Sequence, residues 1–175
     1  FTGNIRPVKG VEVLLKSARM IPPDRRIHFL LVGEVRDADI RRQAEDPALR
    51  DRVHLAGFRK DAAALAGRCD IYVMPSVERE GLPRGVIEAM AQGVPPIVSK
   101  VGGMPELVVD GQSGLVVPPR DPAALADAIV TLALDAHRRR QLGLQARERI
   151  QTDFHIATTA ARMIALYRDV AASLS

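Results

Sequence analysis

Two carboxylates near the middle of the chain are spaced to serve one ligand from two structural elements. Glu80 lies in a loop after an apolar stretch, and Glu88 lies eight positions later, inside a predicted helix. Pro83 suits the first position of that helix, so the amides around it should project from the helix start, where the macrodipole favours an anion. The residues carrying these amides are Gly81, Leu82, Arg84 and Gly85. The stretch predicts a phosphate-binding loop flanked by two hydrogen-bond acceptors.

The helix that carries Glu88 is predicted to be apolar nearly all round and therefore buried. The apolar neighbours of Glu88 are Val86, Ile87, Ala89, Met90 and Ala91. A buried carboxylate needs a partner, because an unpaired buried charge is costly. A ligand with hydroxyl donors would supply one. The alternative, that Glu88 pairs with an arginine and Glu80 is only solvated, stays open.

A second candidate anion site precedes the first predicted helix. Lys9 and Arg6 lie in the loop of residues 6–10, and Gly10 allows backbone or ligand to approach closely. A lysine at a helix N-terminus is mildly unfavourable by itself, so a bound anion would resolve that conflict. A solvated lysine in the first turn is the alternative.

The elements that position these groups alternate between strand and helix. Six short apolar stretches are typical of strands covered on both faces, and they are residues 1–5, 27–33, 53–58, 70–74, 95–99 and 114–117. Asp37, Asp61 and Asp121 are predicted to cap three of the helices between or after them. The alternation predicts an α/β fold with a doubly wound, Rossmann-like parallel sheet. A ligand should then bind at the carboxyl ends of the strands, where the loops of Lys9, Glu80 and Gly102 meet.

Several other classes of protein lack support in the sequence. No G-x-G-x-x-G follows the first strand and no Walker lysine motif occurs, which argues against a dinucleotide dehydrogenase and a P-loop NTPase. No cluster of His, Cys and carboxylates predicts a metal site. The lone Cys69 excludes an internal disulfide and is predicted to be a buried structural thiol.

Composition is that of one globular domain spanning residues 1–175, with 47% hydrophobic residues. The net charge of +4 comes from scattered basic residues and aromatic residues make up only 3%, so no nucleic-acid surface is expected. Residues 138–140 are predicted to form a solvated basic face. Without a long apolar run or a leader we expect a soluble, cytoplasmic protein. Because Phe1 resembles the tail of a strand, we expect the domain to be excised from a longer chain.

A run of motifs across the chain resembles the donor site of retaining GT-B glycosyltransferases of family 4. The motifs are Glu80-Gly81-Leu82, Glu88-Ala89-Met90-Ala91, Gly93-Val94-Pro95, Gly102-Gly103 and Glu106. The resemblance covers essentially the whole chain but only the C-terminal domain of that family. It implies a domain that binds a nucleoside-diphosphate sugar, such as a UDP-sugar or GDP-sugar, whose sugar is transferred to an acceptor with retention of configuration.

The resemblance also implies roles for individual residues. Lys9 would grip the donor diphosphate, and Glu80 would contact the sugar, which makes these two the catalytic candidates. Glu88 would accept from the ribose hydroxyls. The arginine that the family has five residues before Lys9 is Asn4 here, and Arg6 is the nearest arginine. The donor-binding candidates are Arg6, Lys9, Glu80, Gly81, Leu82, Pro83, Arg84, Glu88, Gly102 and Gly103, with Gly33, Phe58 and Arg59 beside the base. For Phe58, a place in the core is the expected alternative.

The resembling enzymes use an N-terminal domain to bind the acceptor and complete the active site, so this chain alone is expected to bind a donor without turnover. No metal or other cofactor is expected. Peripheral association of a full-length enzyme with a membrane stays open. A sugar-nucleotide epimerase of the GT-B type and a non-catalytic binding module are the alternative functions.

Overall fold

Five short apolar stretches form parallel strands in the computed structural model, which describes residues 1–173. The strands are β1 (Phe29–Val32), β2 (Val53–Gly57), β3 (Tyr72–Met74), β4 (Pro96–Ser99) and β5 (Leu115–Val117). Every residue of β3 and β4 is buried, as expected where helices cover both faces of a sheet. The predicted α/β fold with parallel strands is confirmed.

The strands form two parallel sheets, one of β1 and β2 and one in the order β3-β4-β5. The expected first strand at residues 1–5 is reduced to isolated parallel bridges from Thr2 to Val32 and from Ile5 to Val35. The chain therefore moves outward from this segment to β1 and β2, and afterwards from β3 to β4 and β5. This order is typical of nucleotide-binding α/β sheets, and the hydroxyl of Tyr72 on β3 contacts Thr2 of the first segment.

Eight α-helices occur within residues 1–173. They are α1 (Val11–Met20), α2 (Ala38–Ala44), α3 (Ala62–Ala66), α4 (Arg84–Ala91), α5 (Met104–Leu107), α6 (Pro122–Leu134), α7 (Ala136–Asp153) and α8 (Ile156–Ser173). Helix α1 packs on α6, and α4 packs on α7. The buried faces of these helices and the strands form one continuous apolar core.

The helix starts only partly follow the predictions. The side chains of Asp37 and Asp121 accept from backbone amides of α2 and α6, as expected for N-caps. Asp61 occupies the N-cap position of α3 but makes no capping bond, because its carboxylate binds Arg59 instead. Pro83 is the N-cap of α4 and not its first helical residue.

A buried arginine completes the C-terminus of α1. Arg52 is only 7% exposed, and its guanidinium donates to the carbonyl oxygens of Ala18 and Ile21, each at 3.0 Å. These carbonyls belong to the last turn and the cap of the helix, which lack intrahelical partners. The positive charge at a helix C-terminus is also favourable, so Arg52 anchors α1 to the start of β2.

Two expectations about side chains near the amino ends of the strands are wrong. Arg139 is only partly exposed, because it donates to the carbonyls of Leu132 and Ala133 and pairs with Asp70, so residues 138–140 are not uniformly solvated. Cys69 is half-buried, and its thiol donates to the carbonyl of Leu65 at 3.3 Å. It is therefore not a core thiol.

Candidate functional site

The loop that carries Lys9 is held against the end of β3 by two backbone contacts. Pro7–Lys9 forms a 3₁₀ turn that ends at Gly10, whose φ of +68° is left-handed. A Cβ atom at Gly10 would collide with the carbonyl oxygen of Pro75. One step further, the amide of Val77 donates to the carbonyl of Val8 at 3.0 Å. Glycine at position 10 therefore brings the Lys9 loop beside the loop that leads to Glu80.

Lys9 and Glu80 form an ion pair across these two loops. The Nζ atom of Lys9 lies 2.5 Å from Oε1 of Glu80, and the side chains are only 18% and 15% exposed. Water screens the pair less than a surface pair, so each charge strongly affects the other. The structure confirms that two distant loops converge, and it shows that Glu80 is not merely solvated.

Sequence reasoning missed Ser76 as part of this cluster. Its side chain is fully buried, and its hydroxyl lies 3.3 Å from the same Oε1 atom of Glu80 that binds Lys9. The available signal was a serine two residues after the end of the strand and four residues before Glu80. Hydroxyls at such positions are well placed to bond side chains of the following loop.

The paired glycines after β4 pack against the Glu80 loop. The amide of Gly103 donates to the carbonyl of Glu80 at 2.9 Å. Gly102 has a φ of +53°, and a Cβ atom there would collide with the backbone of Glu80. Close approach does explain these glycines, but what approaches is the neighbouring loop of the same chain. The Gly103 amide is consequently already occupied.

The backbone amides at the start of α4 are unoccupied. Within the part of the chain that the structure describes, no group accepts a hydrogen bond from the amides of Gly81, Leu82, Arg84 or Gly85. Gly81 and Leu82 are exposed, whereas Pro83 is buried. These amides and the N-terminal end of the helix dipole can therefore receive an anion.

Glu88 pairs with an arginine, which is the alternative that the sequence left open. Its Oε1 atom accepts from Nε of Arg84 at 2.6 Å, and the two side chains are 27% and 90% exposed respectively. Helix α4 buries Val86, Ala89 and Met90 but exposes Ala91. The prediction of a helix buried on all sides is thus wrong, because α4 packs with one face on β3, β4, α3 and α7 and leaves Arg84 and Ala91 exposed.

Tyr72 is a second residue that the sequence did not single out. Its hydroxyl contacts the side chain of Thr2 at 2.8 Å and the backbone amide of Thr2 at 3.2 Å. A Cβ atom at Gly85 would collide with the same hydroxyl. Burial raises the pKa of Tyr72 to about 12, and the nearby carboxylates of Glu88 and Glu80 add to that rise. Tyr72 therefore joins the first segment, β3 and the start of α4 beneath both acids.

Other candidates lie near the same edge without joining the cluster. Arg6 and Asn4 are exposed, and the described residues offer the Arg6 side chain no hydrogen bond or ion pair. Gly33 is buried, and its amide donates to the carbonyl of Gly57 at 2.8 Å. Phe58 is 74% exposed, so its expected place in the core is wrong. A hydrogen bond from Arg59 lowers the pKa of Asp61 to about 2, so Arg59 is also already paired.

Clefts of about 620 Å³ and 460 Å³ lie beside α2 and around the amino ends of β1 and β3, and neither includes Lys9 or Glu80.

Residues 1–173 contain no group of three or more His, Cys, Asp or Glu side chains arranged to hold a metal ion. None of the helices in this range combines the length and apolarity that crossing a membrane requires.

Comparison with known proteins places the chain among glycosyl transferases. The family model for glycosyl transferases group 1 matches residues 1–135. D-inositol 3-phosphate glycosyltransferase from Corynebacterium glutamicum is 33% identical over 99% of this chain, which spans 43% of that relative's length.

Two solved structures share the fold at 26% sequence identity. Anabaena HepE in complex with UDP superposes with a TM-score of 0.88 over 96% of this chain and 47% of HepE. A C-terminal domain of a group 1 glycosyl transferase from Francisella tularensis superposes with a TM-score of 0.77 over 88% of this chain and 84% of that domain. The chain therefore belongs to the glycosyl transferases group 1 family, and its fold is that of the C-terminal half of GT-B enzymes.

Proposed function

We propose that this chain is the donor-binding domain of a retaining, family 4 glycosyltransferase that takes a sugar from a nucleoside diphosphate and transfers it to an acceptor. The observation that carries the proposal is the partly buried ion pair of Lys9 and Glu80. It lies where the loops after the first segment and β3 meet, next to the unoccupied amides at the start of α4.

The diphosphate of the donor binds Lys9 and the amides of Gly81, Leu82, Arg84 and Gly85. An ammonium and several backbone N–H groups are suited to an anion whose charge grows as the sugar departs. Arg6 is exposed on the Lys9 loop, so it is free to turn toward the same phosphates in place of the arginine that Asn4 replaces. This stabilisation of the leaving group needs no metal ion in the proposal.

Glu80 and Glu88 orient the rest of the donor. Glu80 accepts hydrogen bonds from sugar hydroxyls, and Glu88 accepts from the ribose hydroxyls after its exposed partner Arg84 moves aside. Pro83 sets the start of α4, while Gly102 and Gly103 keep the Glu80 loop in place. Gly33, Phe58 and Arg59 lie at the neighbouring strand ends, where the base would stack. HepE binds UDP, so uridine donors are the first to test, ahead of GDP-sugars.

The remaining parts of the proposal concern the whole protein. This chain spans less than half the length of its curated relatives, so acceptor binding and completion of the active site are assigned to an N-terminal domain. The exposed apolar residues of α8, which include Ile156, Met163 and Tyr167, are suited to pack against it. The chain alone should bind the donor and not turn it over, and a cytoplasmic location is part of the same proposal.

Isothermal titration calorimetry on the 175-residue chain tests donor binding with UDP, UDP-glucose, GDP and GDP-mannose. We expect the nucleotides of one base, uracil or guanine, to bind with dissociation constants at least tenfold below those of the other. Failure of all four to bind contradicts the proposal. A transfer assay then needs the whole protein, and product formed without any acceptor would favour an epimerase instead.

A further inference from the structure

We infer that Ser76 is a positioning residue that fixes the carboxylate of Glu80 for the sugar part of the donor. The inference rests on the proposed function and adds to it a residue that determines whether the sugar contributes to affinity. The juxtaposition that carries it is a fully buried hydroxyl and a lysine ammonium on one oxygen of Glu80.

The hydroxyl of Ser76 is committed to Glu80. Its side chain has an exposure of 0%, and within residues 1–173 Oε1 of Glu80 is its sole side-chain hydrogen-bond partner, at 3.3 Å. A buried hydroxyl without a partner would be costly, so this bond has a reason to persist. An ionised carboxylate only accepts hydrogen bonds, and Ser76 is therefore the donor.

Lys9 is the stronger donor to the same oxygen, at 2.5 Å. A donor diphosphate brings a larger negative charge to Lys9 and draws its ammonium away from Glu80. Ser76 is then the remaining side chain that holds Oε1. The other oxygen, Oε2, accepts no hydrogen bond from the part of the chain that the structure describes, so it is available to a sugar hydroxyl.

Ser76 is also better anchored than the residue it holds. It lies between Pro75, whose carbonyl abuts Gly10, and Val77, whose amide bonds the carbonyl of Val8. Glu80 lies beyond the exposed residues Glu78 and Arg79. The hydroxyl therefore ties a carboxylate on an exposed loop to the buried end of β3, which is the support that precise orientation of a binding group needs.

The test compares UDP with UDP-glucose by calorimetry in the wild-type chain and in Ser76→Ala. We expect the dissociation constant for UDP to stay within about twofold, and that for UDP-glucose to rise about five- to tenfold, within the range of one typical lost hydrogen bond. If the wild-type chain prefers GDP, the pair is GDP and GDP-mannose. The matched control is Ser17→Ala, which removes another fully buried hydroxyl, bonded to Leu14 in α1, and should change neither constant.

A purely structural serine gives a different result. Ser76→Ala would then lower the melting temperature and weaken UDP and UDP-glucose by the same factor, which contradicts the inference. In a Glu80→Ala background, which removes both carboxylate oxygens, the Ser76→Ala change should have almost no further effect on the ratio of the two constants. Independent, multiplying effects would overturn the inference, because they would show that Ser76 does not act through Glu80.

The outcomes also separate this inference from the proposed function. If the wild-type chain binds neither nucleotide pair, both fail. If UDP binds and Lys9→Ala weakens it, but Ser76→Ala leaves the preference for UDP-glucose unchanged, only the role of Ser76 is rejected. Equal affinity of the wild-type chain for UDP and UDP-glucose also rejects that role, because Glu80 would then make no contribution through the sugar.

Discussion

Nζ of Lys9 lies 2.5 Å from Oε1 of Glu80, although 71 positions separate the two residues in the chain. Both side chains are mostly buried, so their opposite charges balance each other. An incoming anion that binds Lys9 changes that balance. The sign of each mutation's effect on nucleotide binding follows from this balance.

Replacing Lys9 with alanine should weaken binding of UDP. The variant loses the ammonium that faces the diphosphate and leaves the Glu80 carboxylate unpaired next to it. The expected loss is about 1.5 to 3 kcal/mol, the value of a hydrogen bond to a charged group, measured by calorimetry. Lys16→Ala, on the exposed face of α1, is the matched control. Unchanged affinity in Lys9→Ala would refute the assignment.

Glu80→Gln should have the opposite effect on UDP. The substitution removes one negative charge beside the diphosphate and releases Lys9, so UDP affinity should rise about two- to tenfold at low salt. The gain should shrink as salt is added. Glu78→Gln removes an exposed charge two residues away and should change UDP affinity little. An equal gain in UDP affinity in the Glu78→Gln variant would show that the general charge of the loop, and not the pair with Lys9, sets this affinity.

Glu88→Gln should reduce the preference for ribose nucleotides. UDP should bind about tenfold more weakly, the cost of a charge-assisted hydrogen bond, whereas 2′-deoxy-UDP, which keeps only the 3′-hydroxyl, should lose clearly less. Arg84→Ala removes the in-chain partner of Glu88 and should retain the ribose preference. Equal losses for the two nucleotides in Glu88→Gln contradict the ribose role.

Gly102→Ala should damage the site through the backbone. The left-handed φ at Gly102 costs an alanine about 1 to 2 kcal/mol, and the new Cβ also collides with the carbonyl of Glu80. Gly111→Ala is a matched control, since its φ of +71° carries the same penalty with nothing within 4 Å. Thermal unfolding should show a larger loss for Gly102→Ala, and only that variant should bind UDP more weakly.

Tyr72 should make stability fall at alkaline pH. Its folded pKa of about 12 lies above the ordinary tyrosine value of 10.0, so the neutral, hydrogen-bonded form is favoured by folding. This contribution is fully present below pH 10 and is lost as the pH rises toward 12. Tyr167→Phe leaves Tyr72 as the remaining tyrosine, and its absorbance titration should then have a midpoint near 12. Tyr72→Phe should flatten the alkaline fall in unfolding free energy.

The amino-acid sequence by itself determined the order and type of the elements. Runs of buried aliphatic residues predict β3 and β4, and Asp37 and Asp121 cap α2 and α6 as expected. These features depend on interactions between near neighbours, which local pattern encodes. Parallel winding then required the Lys9 and Glu80 loops to meet at one edge of the sheet, because the carboxyl ends of parallel strands lie together.

Only the tertiary structure decided which atoms pair at that edge. Lys9 pairs with Glu80, Arg84 pairs with Glu88, and Gly102 makes room for another loop. Phe58 projects from the surface although its type favours the core. Each outcome depends on the path of loops distant in sequence and on side-chain reach within a few ångströms. Residue type and spacing along the chain leave both of these unspecified.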